Sequence, residues 1–396
     1  MIFEMDALSA IAEIKKLGKI VHSGVMSPPY LWKQDYGISK TIWDTKNIGC
    51  DHDFSGVVGL GHDLWKVNFK RSQSWRNKEI CRNCGAWYGQ LGHEPTPEMY
   101  IAHLVYIYTN FSEILRDDGT LWVVIGDTSI SAKSRYSTKN DTFLGGGRND
   151  AKLGNLQDGA KPDLAGHPYY RDGDLTNIPY MFADAMQKNG WSLRSNIIWY
   201  KEVHKPESVV GWQWDKHIVN GGECKGCSKC DNGLVLKRHN GRPTVCTENI
   251  LLFSKNGARY YYNTDAIRIP NTSLDADNNP LGKNARNVWT INPIPNPIHH
   301  ATFPYDLAEK CVLASTPPMC CADCGAPFAR VHDGYYTVGW KKTCQCFGLS
   351  VPPIVADLFG GTGTTALASV RNGRDYIYID PNKSFVDYAK ERIGQG

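Results

Sequence analysis

The chain has 396 residues, 41% hydrophobic and 21% charged, with a formal net charge of +4. These are ordinary values for a globular protein of one large domain with insertions, or of two domains, and the mild positive charge admits a nucleic-acid partner without requiring one. No apolar run approaches about eighteen residues, and Met1 to Lys16 lacks a basic stretch followed by an apolar one, so neither a membrane span nor a secretory leader is expected and a cytoplasmic location follows.

Ile11 to Leu17 reads as a short amphipathic helix. Ile20 to Met26 reads as a strand, weakened by His22, Ser23 and Gly24, that leads into Ser27-Pro28-Pro29-Tyr30. Pro97 to Leu115 carries apolar residues at helical spacing. Asp117-Asp118-Gly119 is expected to end that helix, before a buried strand over Thr120 to Ile125. The same rhythm predicts a helix over Ile178 to Lys188, a stop at Gly190 and a strand over Leu193 to Tyr200. Ile250 to Phe253 and Arg259 to Tyr262 read as a hairpin. Strand Val355 to Phe359, helix Thr364 to Asn372, strand Tyr376 to Ile379 and helix Ser384 to Ile393 follow. Such alternation predicts a mostly parallel α/β sheet. Three stretches break the rhythm: Ser129 to Gly173, Gly211 to Pro243 and Asn271 to Pro297. No internal repeat is evident.

Most of the thirteen cysteines are clustered in close groups, which in a reducing compartment reads as metal binding rather than disulfides. Cys50 and His52 with Cys81 and Cys84 make one four-ligand set for structural zinc. Cys321 and Cys324 with Cys344 and Cys346 make another. Cys224, Cys227 and Cys230 need a fourth ligand, for which Cys246 or His239 is available. Cys311 and Cys320 stand outside these sets. The plain alternative for each set is buried free thiols. Zinc here would staple inserted loops rather than catalyse.

Two motifs carry chemistry. Asp357 ends a strand and is followed by Gly360, Gly361 and Gly363 and then a helix, so a ligand can approach the backbone closely at a helix N-terminus. Asp380 ends the next strand, about twenty residues on, where an acidic side chain can accept both ribose hydroxyls. No Gly-Lys-Ser/Thr follows, which argues against a nucleoside triphosphate. In the other motif, Ser27 Oγ and the Pro28 carbonyl are candidate acceptors for the hydrogens of a base amino group. Such an amino group is a poor nucleophile until its nitrogen is drawn toward tetrahedral geometry. Pro28 and Pro29 stiffen the turn, and Tyr30 can stack on a flipped base. A plain Pro-rich turn and an ordinary Gly-rich turn are the alternatives.

Together, Ser-Pro-Pro-Tyr and Asp-x-Phe-Gly-Gly-Thr-Gly-Thr-Thr resemble the catalytic and cofactor motifs of S-adenosylmethionine-dependent DNA amino-methyltransferases of the permuted β group. These enzymes act on cytosine N4 or adenine N6. The resemblance extends through Met5-Asp6-Ala7, Leu91 to Glu98, Leu115 to Asp127, Trp191 to Lys201, Glu248 to Tyr262 and Phe303 to Leu307. It implies a Rossmann-like seven-stranded methyltransferase sheet with helices on both faces, circularly permuted, with zinc-stapled insertions. It also implies cofactor contacts from Asp6, Phe303, Pro304, Asp357, Phe359, Gly360, Gly361, Gly363, Thr364, Thr365 and Asp380, and catalysis at Ser27, Pro28, Pro29 and Tyr30. Leu358, Gly360 and Thr362 depart from the usual Asp-Pro-Phe-Ala-Gly-Ser-Gly, and Asp380-Pro381-Asn382 replaces a common Glu-x-Asn.

The expected division is a catalytic half over 1–128 with a zinc insertion at 50–84 and a flexible insertion over 129–177. Core over 178–270 follows, with a cysteine-rich insertion at 211–243. A target-recognition segment spans 271–297, and a cofactor half spans 298–396 with a zinc insertion at 320–346. Ser27 in place of Asp favours cytosine N4, with adenine N6 as the alternative. Carbon-5 methylation is disfavoured because no Pro-Cys pair is present. The implied partners are double-stranded DNA and a cognate restriction endonuclease. Rivals are an inactive zinc-containing DNA-binding protein and a methyltransferase acting on RNA or a small amine. His299-His300 reads as solvent-facing. Lys133 to Arg148 is a candidate phosphate contact, and Arg286 a candidate contact to a guanine edge or the DNA backbone.

Overall fold

Alternating burial along the central strands sets the architecture. In the computed structural model, Leu121, Val123 and Ile125 join one hydrophobic cluster, while Trp122 and Val124 join another on the opposite face. A strand buried on both faces needs cover on both, and the chain supplies helices to each. The structure describes residues 1–33, 35–45, 49–55, 79–130, 169–171, 173–202, 212–220, 222–231, 233–238, 243, 245–272, 279–294 and 303–394.

The main sheet has eight strands rather than the expected seven. In chain order they are β1 (Ile2–Phe3), β2 (Val21–Met26), β3 (Leu115–Ile125), β4 (Ser192–Tyr200), β5 (Thr247–Ser254), β6 (Val288–Thr290), β7 (Ile354–Asp357) and β8 (Asp375–Ile379). Their spatial order is β1-β8-β7-β2-β3-β5-β4-β6. All neighbours are parallel except at β5, which runs antiparallel to both β3 and β4. Helices α1 (Ala7–Lys16), α2 (Pro97–Ser112) and α3 (Ile178–Lys188) cover one face; α4 (Tyr305–Ser315) and α5 (Thr364–Arg371) cover the other. Helix α6 (Lys383–Gly394) buries Val386, Ala389 and Ile393 with Ala366 of α5 and Tyr378 of β8. Among the described residues no helix is long and apolar enough to cross a membrane.

Two expectations of local structure change. Asp117-Asp118-Gly119 does not end α2, which stops at Ser112; it lies inside β3, at an irregularity that shifts the pairing from Val21 with Leu115 to Ser23 with Thr120. Arg259 to Tyr262 forms no strand, because both edges of β5 are already taken by β3 and β4. Trp289 is buried in β6 and donates its indole N–H to the Arg286 carbonyl at 2.8 Å. Gly24 explains the weak look of β2: a Cβ there would meet the Phe111 ring at 2.9 Å, so the glycine admits α2 against the sheet.

The three cysteine-bearing insertions share a plan. Each is closed by a two-stranded antiparallel ladder: Thr41–Trp43 with Trp87–Gly89, Trp212–Lys216 with Leu234–Arg238, and Cys320–Cys321 with Ser350–Val351. A ladder at the base returns the chain to its starting point, so the insertion leaves the sheet undisturbed. The last insertion also grips the sheet. Buried His22 accepts from Ile354 N–H at Nδ1 (3.0 Å), so its Nε2 carries the proton and donates to the Gly325 carbonyl (2.9 Å). Arg116 of β3 donates to the Cys324 carbonyl at 2.6 Å. His22→Ala leaves a buried N–H and a carbonyl without partners, and the expected cost is about 2–4 kcal/mol of unfolding free energy, read from a denaturant midpoint.

Candidate active site

Parallel pairing of β2 with β7, Ser23 with Val355 and Gly24 with Ala356, sets the ends of these strands side by side. Ser27-Pro-Pro-Tyr30 leaves the end of one, and the Asp357 loop leaves the end of the other. Both open on one cavity of about 600 Å³, lined by Ser27, Pro28, Pro29 and Tyr30 and also by Asp357, Phe359, Gly360, Gly361, Thr364 and Asp380. Asp6 and Phe303 reach the same wall. Such a volume lies within the range of about 300–1,000 Å³ usual for small-molecule sites.

Pro304, Gly363 and Thr365 do not reach the wall. Pro304 starts α4, and Thr365 donates its hydroxyl to the Val25 carbonyl at 3.1 Å, tying α5 to β2. Gly363 (φ +77°) lets the start of α5 approach α6, where a Cβ would lie 2.9 Å from that of Ala389. Asp6 caps α1: its carboxylate accepts from Ser9 N–H at 3.0 Å and from the Ser9 hydroxyl at 2.6 Å. Residues singled out by neither motif complete the wall, notably Tyr36, Trp43, Pro381 and Phe385. Pro381 and Phe385 follow Asp380 closely, which is signal enough to find them; Tyr36 and Trp43 sit in a stretch without periodicity.

The Pro-Pro-Tyr turn is held from behind. Tyr100 of α2 donates to the Pro29 carbonyl at 2.8 Å. Gly92 (φ +89°) lies against the turn, where a Cβ would meet the Tyr30 carbonyl at 3.1 Å, and its N–H donates to the Glu94 carboxylate at 2.8 Å. Glu94, fully buried, also contacts His103 Nδ1 at 2.9 Å, and the His103 ring is stacked between Trp43 and Trp87. Tyr30 lays its ring beside Gly126, where a Cβ would fall 2.8 Å from it, and donates its hydroxyl to Glu248 at 2.7 Å. Among the described residues no donor reaches the Pro28 carbonyl.

On the glycine-loop side, Gly360 admits the Tyr378 ring, which a Cβ would meet at 2.3 Å; the Tyr378 hydroxyl donates to the Gly361 carbonyl at 2.7 Å. Asp380 accepts from Gly361 N–H at 2.9 Å and Asn382 N–H at 2.8 Å. Asp357 accepts from Phe359 N–H at 3.0 Å. Burial pushes the Asp357 carboxyl up to about 7 and the Asp380 carboxyl up to about 6. Two buried acids that resist ionisation suit a cationic ligand.

All three cysteine sets assemble. Cys50, His52, Cys81 and Cys84 bring their ligand atoms within 4.8 Å of one another, as do Cys321, Cys324, Cys344 and Cys346. In the remaining set the fourth ligand atom is that of His217, not Cys246, which the fold leaves outside the group; His239 lies outside the described residues. The Cys50–Cys81 and Cys224–Cys230 sulfur separations are 3.9 and 3.7 Å, and Cys227 Sγ lies 3.5 Å from His217 Nδ1. Disulfide sulfurs sit about 2.0 Å apart, whereas tetrahedral zinc with bonds of about 2.3 Å separates its sulfurs by about 3.8 Å. The donor sets therefore fit zinc. Two sets also share a six-residue repeat that cysteine spacing alone does not flag. Cys81-Arg-Asn-Cys-Gly-Ala86 and Cys321-Ala-Asp-Cys-Gly-Ala326 make the same turn, with Gly85 and Gly325 at positive φ donating to the Cys81 and Cys321 carbonyls at 2.9 and 2.8 Å.

Lys133 to Arg148 and His299-His300 lie outside the described residues. Arg286, described, turns its guanidinium to the Asn284 carbonyl at 3.0 Å.

A family model described as DNA methylase matches residues 21–391. The chain is 31% identical over 306 residues to the Type II methyltransferase M.SmaI of Serratia marcescens, covering 77% of each chain. It is 29% identical over 308 residues to the Type II methyltransferase M.Cfr9I of Citrobacter freundii, covering 77% of this chain and 74% of that one. Among solved structures, the PvuII DNA methyltransferase (cytosine-N4-specific) aligns over 99% of this chain and 85% of its own, with 12% identity and a TM-score of 0.48. The M1.HpyAVI–SAM complex aligns over 99% and 98%, with 13% identity and a TM-score of 0.42. Family membership rests on the sequence matches and not on these two structural alignments.

Both buried acids bind a proton in the folded chain at pH values where the unfolded chain has released it. Stability of the ligand-free protein therefore falls as pH rises from about 4 to about 7. Asp357→Asn removes that cost. Its expected effect at pH 8 is a gain on the order of 2–4 kcal/mol in unfolding free energy, shrinking toward zero near pH 4. Thermal melts of the two proteins across that range measure it.

Proposed function

The chain belongs to the N6/N4 DNA methylase family, and from that premise we propose that it moves a methyl group from S-adenosylmethionine to the exocyclic amino nitrogen of a flipped DNA base, at a specific site and with cytosine N4 favoured over adenine N6. The observation that carries this reading is the shared cavity: Ser27-Pro-Pro-Tyr30 and the Asp357–Asp380 loop face one volume large enough for a nucleoside cofactor and a base edge.

When bound, S-adenosylmethionine supplies an electrophilic methyl group on a positively charged sulfur. The residues of the chain do the rest. Asp380 accepts from the ribose hydroxyls, and Asp357 offers buried negative charge to the cationic end. Ser27 Oγ and the Pro28 carbonyl accept the two amino hydrogens and draw the nitrogen toward tetrahedral geometry. Tyr30 provides the face on which the base stacks. So held, the amino nitrogen would be ready to take the methyl group, the cofactor leaving as its neutral thioether and the amino proton passing to solvent. No covalent enzyme intermediate forms, because the site needs no nucleophilic side chain.

Three structural zinc ions belong to the same reading, one in each cysteine set, and take no part in methyl transfer. Their role is to hold insertions that have too little apolar core to fold alone. Double-stranded DNA is the substrate, and a cognate restriction endonuclease is the partner that a Type II modification enzyme implies.

Nucleosides from DNA treated with the protein and cofactor, separated by mass spectrometry, should contain N4-methylcytosine; N6-methyladenine instead selects the alternative base, and neither product defeats the reading. Ser27→Ala and Tyr30→Ala should slow methylation about 100-fold or more while leaving cofactor affinity within about twofold. Asp380→Ala should act in the opposite order, weakening the cofactor about 10–100-fold. Elemental analysis of the purified protein should find three zinc ions per chain; chelation strong enough to remove the Cys321–Cys346 ion should lower thermal stability.

A further inference from the structure

We propose that Lys201 and Glu248 fix the direction of a hydroxyl chain that turns Ser27 into an acceptor, and so serve as positioning residues for methyl transfer to a base amino group, the reading on which this inference rests. The chain runs across three strand ends. Lys201 follows β4, and its N–H donates to the Cys246 carbonyl at 2.8 Å. Its ammonium lies 4.1 Å from the centre of the Trp199 ring and is ion-paired with Glu248 of β5. The other Glu248 oxygen accepts from the Tyr30 hydroxyl at 2.7 Å, and Ser27 Oγ lies 3.5 Å from that hydroxyl.

Polarity follows from what each group can do. A carboxylate has no proton to give, so Tyr30 must donate to Glu248. The single Tyr30 proton is then spent, and its oxygen is left to accept from Ser27. Ser27 likewise has one proton, which this arrangement directs at Tyr30, so its lone pairs face the cavity. With the Pro28 carbonyl, which no donor among the described residues reaches, the turn presents two side-by-side acceptors to the cavity. An amino group satisfies both; the oxo group of thymine or uracil satisfies neither. The long Ser27–Tyr30 separation is the sort of contact that tightens when a substrate fills the site. Gly126 protects the arrangement, since a Cβ there would press on the Tyr30 ring at 2.8 Å and lie 3.5 Å from Glu248 Cγ.

Glu248→Gln keeps the shape and breaks the polarity. Its amide can donate to the Tyr30 oxygen, which frees the Tyr30 proton for Ser27 and turns the Ser27 proton into the cavity. The test is single-turnover transfer of labelled methyl groups to unmethylated genomic DNA, with cofactor affinity measured alongside. E248Q should slow transfer about 10–100-fold with cofactor affinity within about twofold, the size expected for one lost hydrogen bond in the transition state. Tyr30→Phe severs the chain, so adding E248Q to Y30F should change the rate by less than about twofold. A merely structural Glu248 predicts otherwise, and E248Q slowing Y30F as much as wild type overturns the proposal. So does an E248Q protein that transfers at the wild-type rate. If E248Q loses the fold, Y30F alone decides: transfer slowed about 10–100-fold with cofactor affinity within about twofold supports the proposal, and transfer at the wild-type rate overturns it. A wild-type protein that labels no DNA removes the underlying reading and this inference with it, whereas a labelling wild type leaves the variants to decide the inference alone.

Discussion

Everything at the site depends on two residue pairs, Ser23 with Val355 and Gly24 with Ala356, through which β2 lies against β7. Parallel pairing puts the ends of both strands at the same edge of the sheet, where irregular loops can present side chains to a ligand. The pairing is short, and three contacts outside the ladder support it: the Thr365 hydroxyl on the Val25 carbonyl, His22 bridging Ile354 to Gly325, and the Phe111 ring seated on Gly24. The last two would be lost if β2 carried the larger apolar residues that its position otherwise invites. The residues that make β2 look like a poor strand are those that hold it beside β7.

Rigidity and strain divide between the two sides of the cavity. Behind the Pro-Pro-Tyr turn runs a set of buried hydrogen bonds: Tyr100 to the Pro29 carbonyl, Gly92 N–H and His103 to the Glu94 carboxylate, and Trp32 to the Glu94 carbonyl. Buried hydrogen bonds of this kind fix a turn in place before substrate arrives. On the opposite side, Asp357 and Asp380 are held in surroundings that resist their charge. Ionising them costs the ligand-free protein stability, so this side of the cavity carries strain that the other does not.

The cysteine insertions obey a separate logic. In the last insertion the outer hairpin is largely exposed, as at Tyr336 and Val338, so little apolar burial holds it. Its four ligand atoms, from Cys321, Cys324, Cys344 and Cys346, lie within 4.8 Å of one another. Because the last insertion also carries the Gly325 and Cys324 carbonyls that His22 and Arg116 bind, order in that insertion reaches the β2–β7 seam directly.

Much is legible in the sequence because it is local. The bounds of α3 follow to the residue from apolar spacing and a glycine stop, and the glycine loop, the Pro-Pro-Tyr turn and the paired cysteines announce themselves by spacing alone. The rest is tertiary. Asp-Asp-Gly at 117–119 looks like a helix end, yet pairing with β2 carries it through as an irregular part of β3. Arg259 to Tyr262 looks like a hairpin arm, yet β5 has no free edge to offer it. His217 gives no signal, because a lone histidine becomes a ligand only when the ladder between Trp212–Lys216 and Leu234–Arg238 returns the chain to the cysteines. Lys201 and Glu248 sit in segments that carry the family resemblance but show no role of their own; only the adjacency of β4 and β5 joins them to Tyr30. Residue types and spacings determine which groups are present and what each can donate or accept. Which of them meet is decided by strand order, since hydrogen bonds between strands act over distances in space that the chain itself does not record.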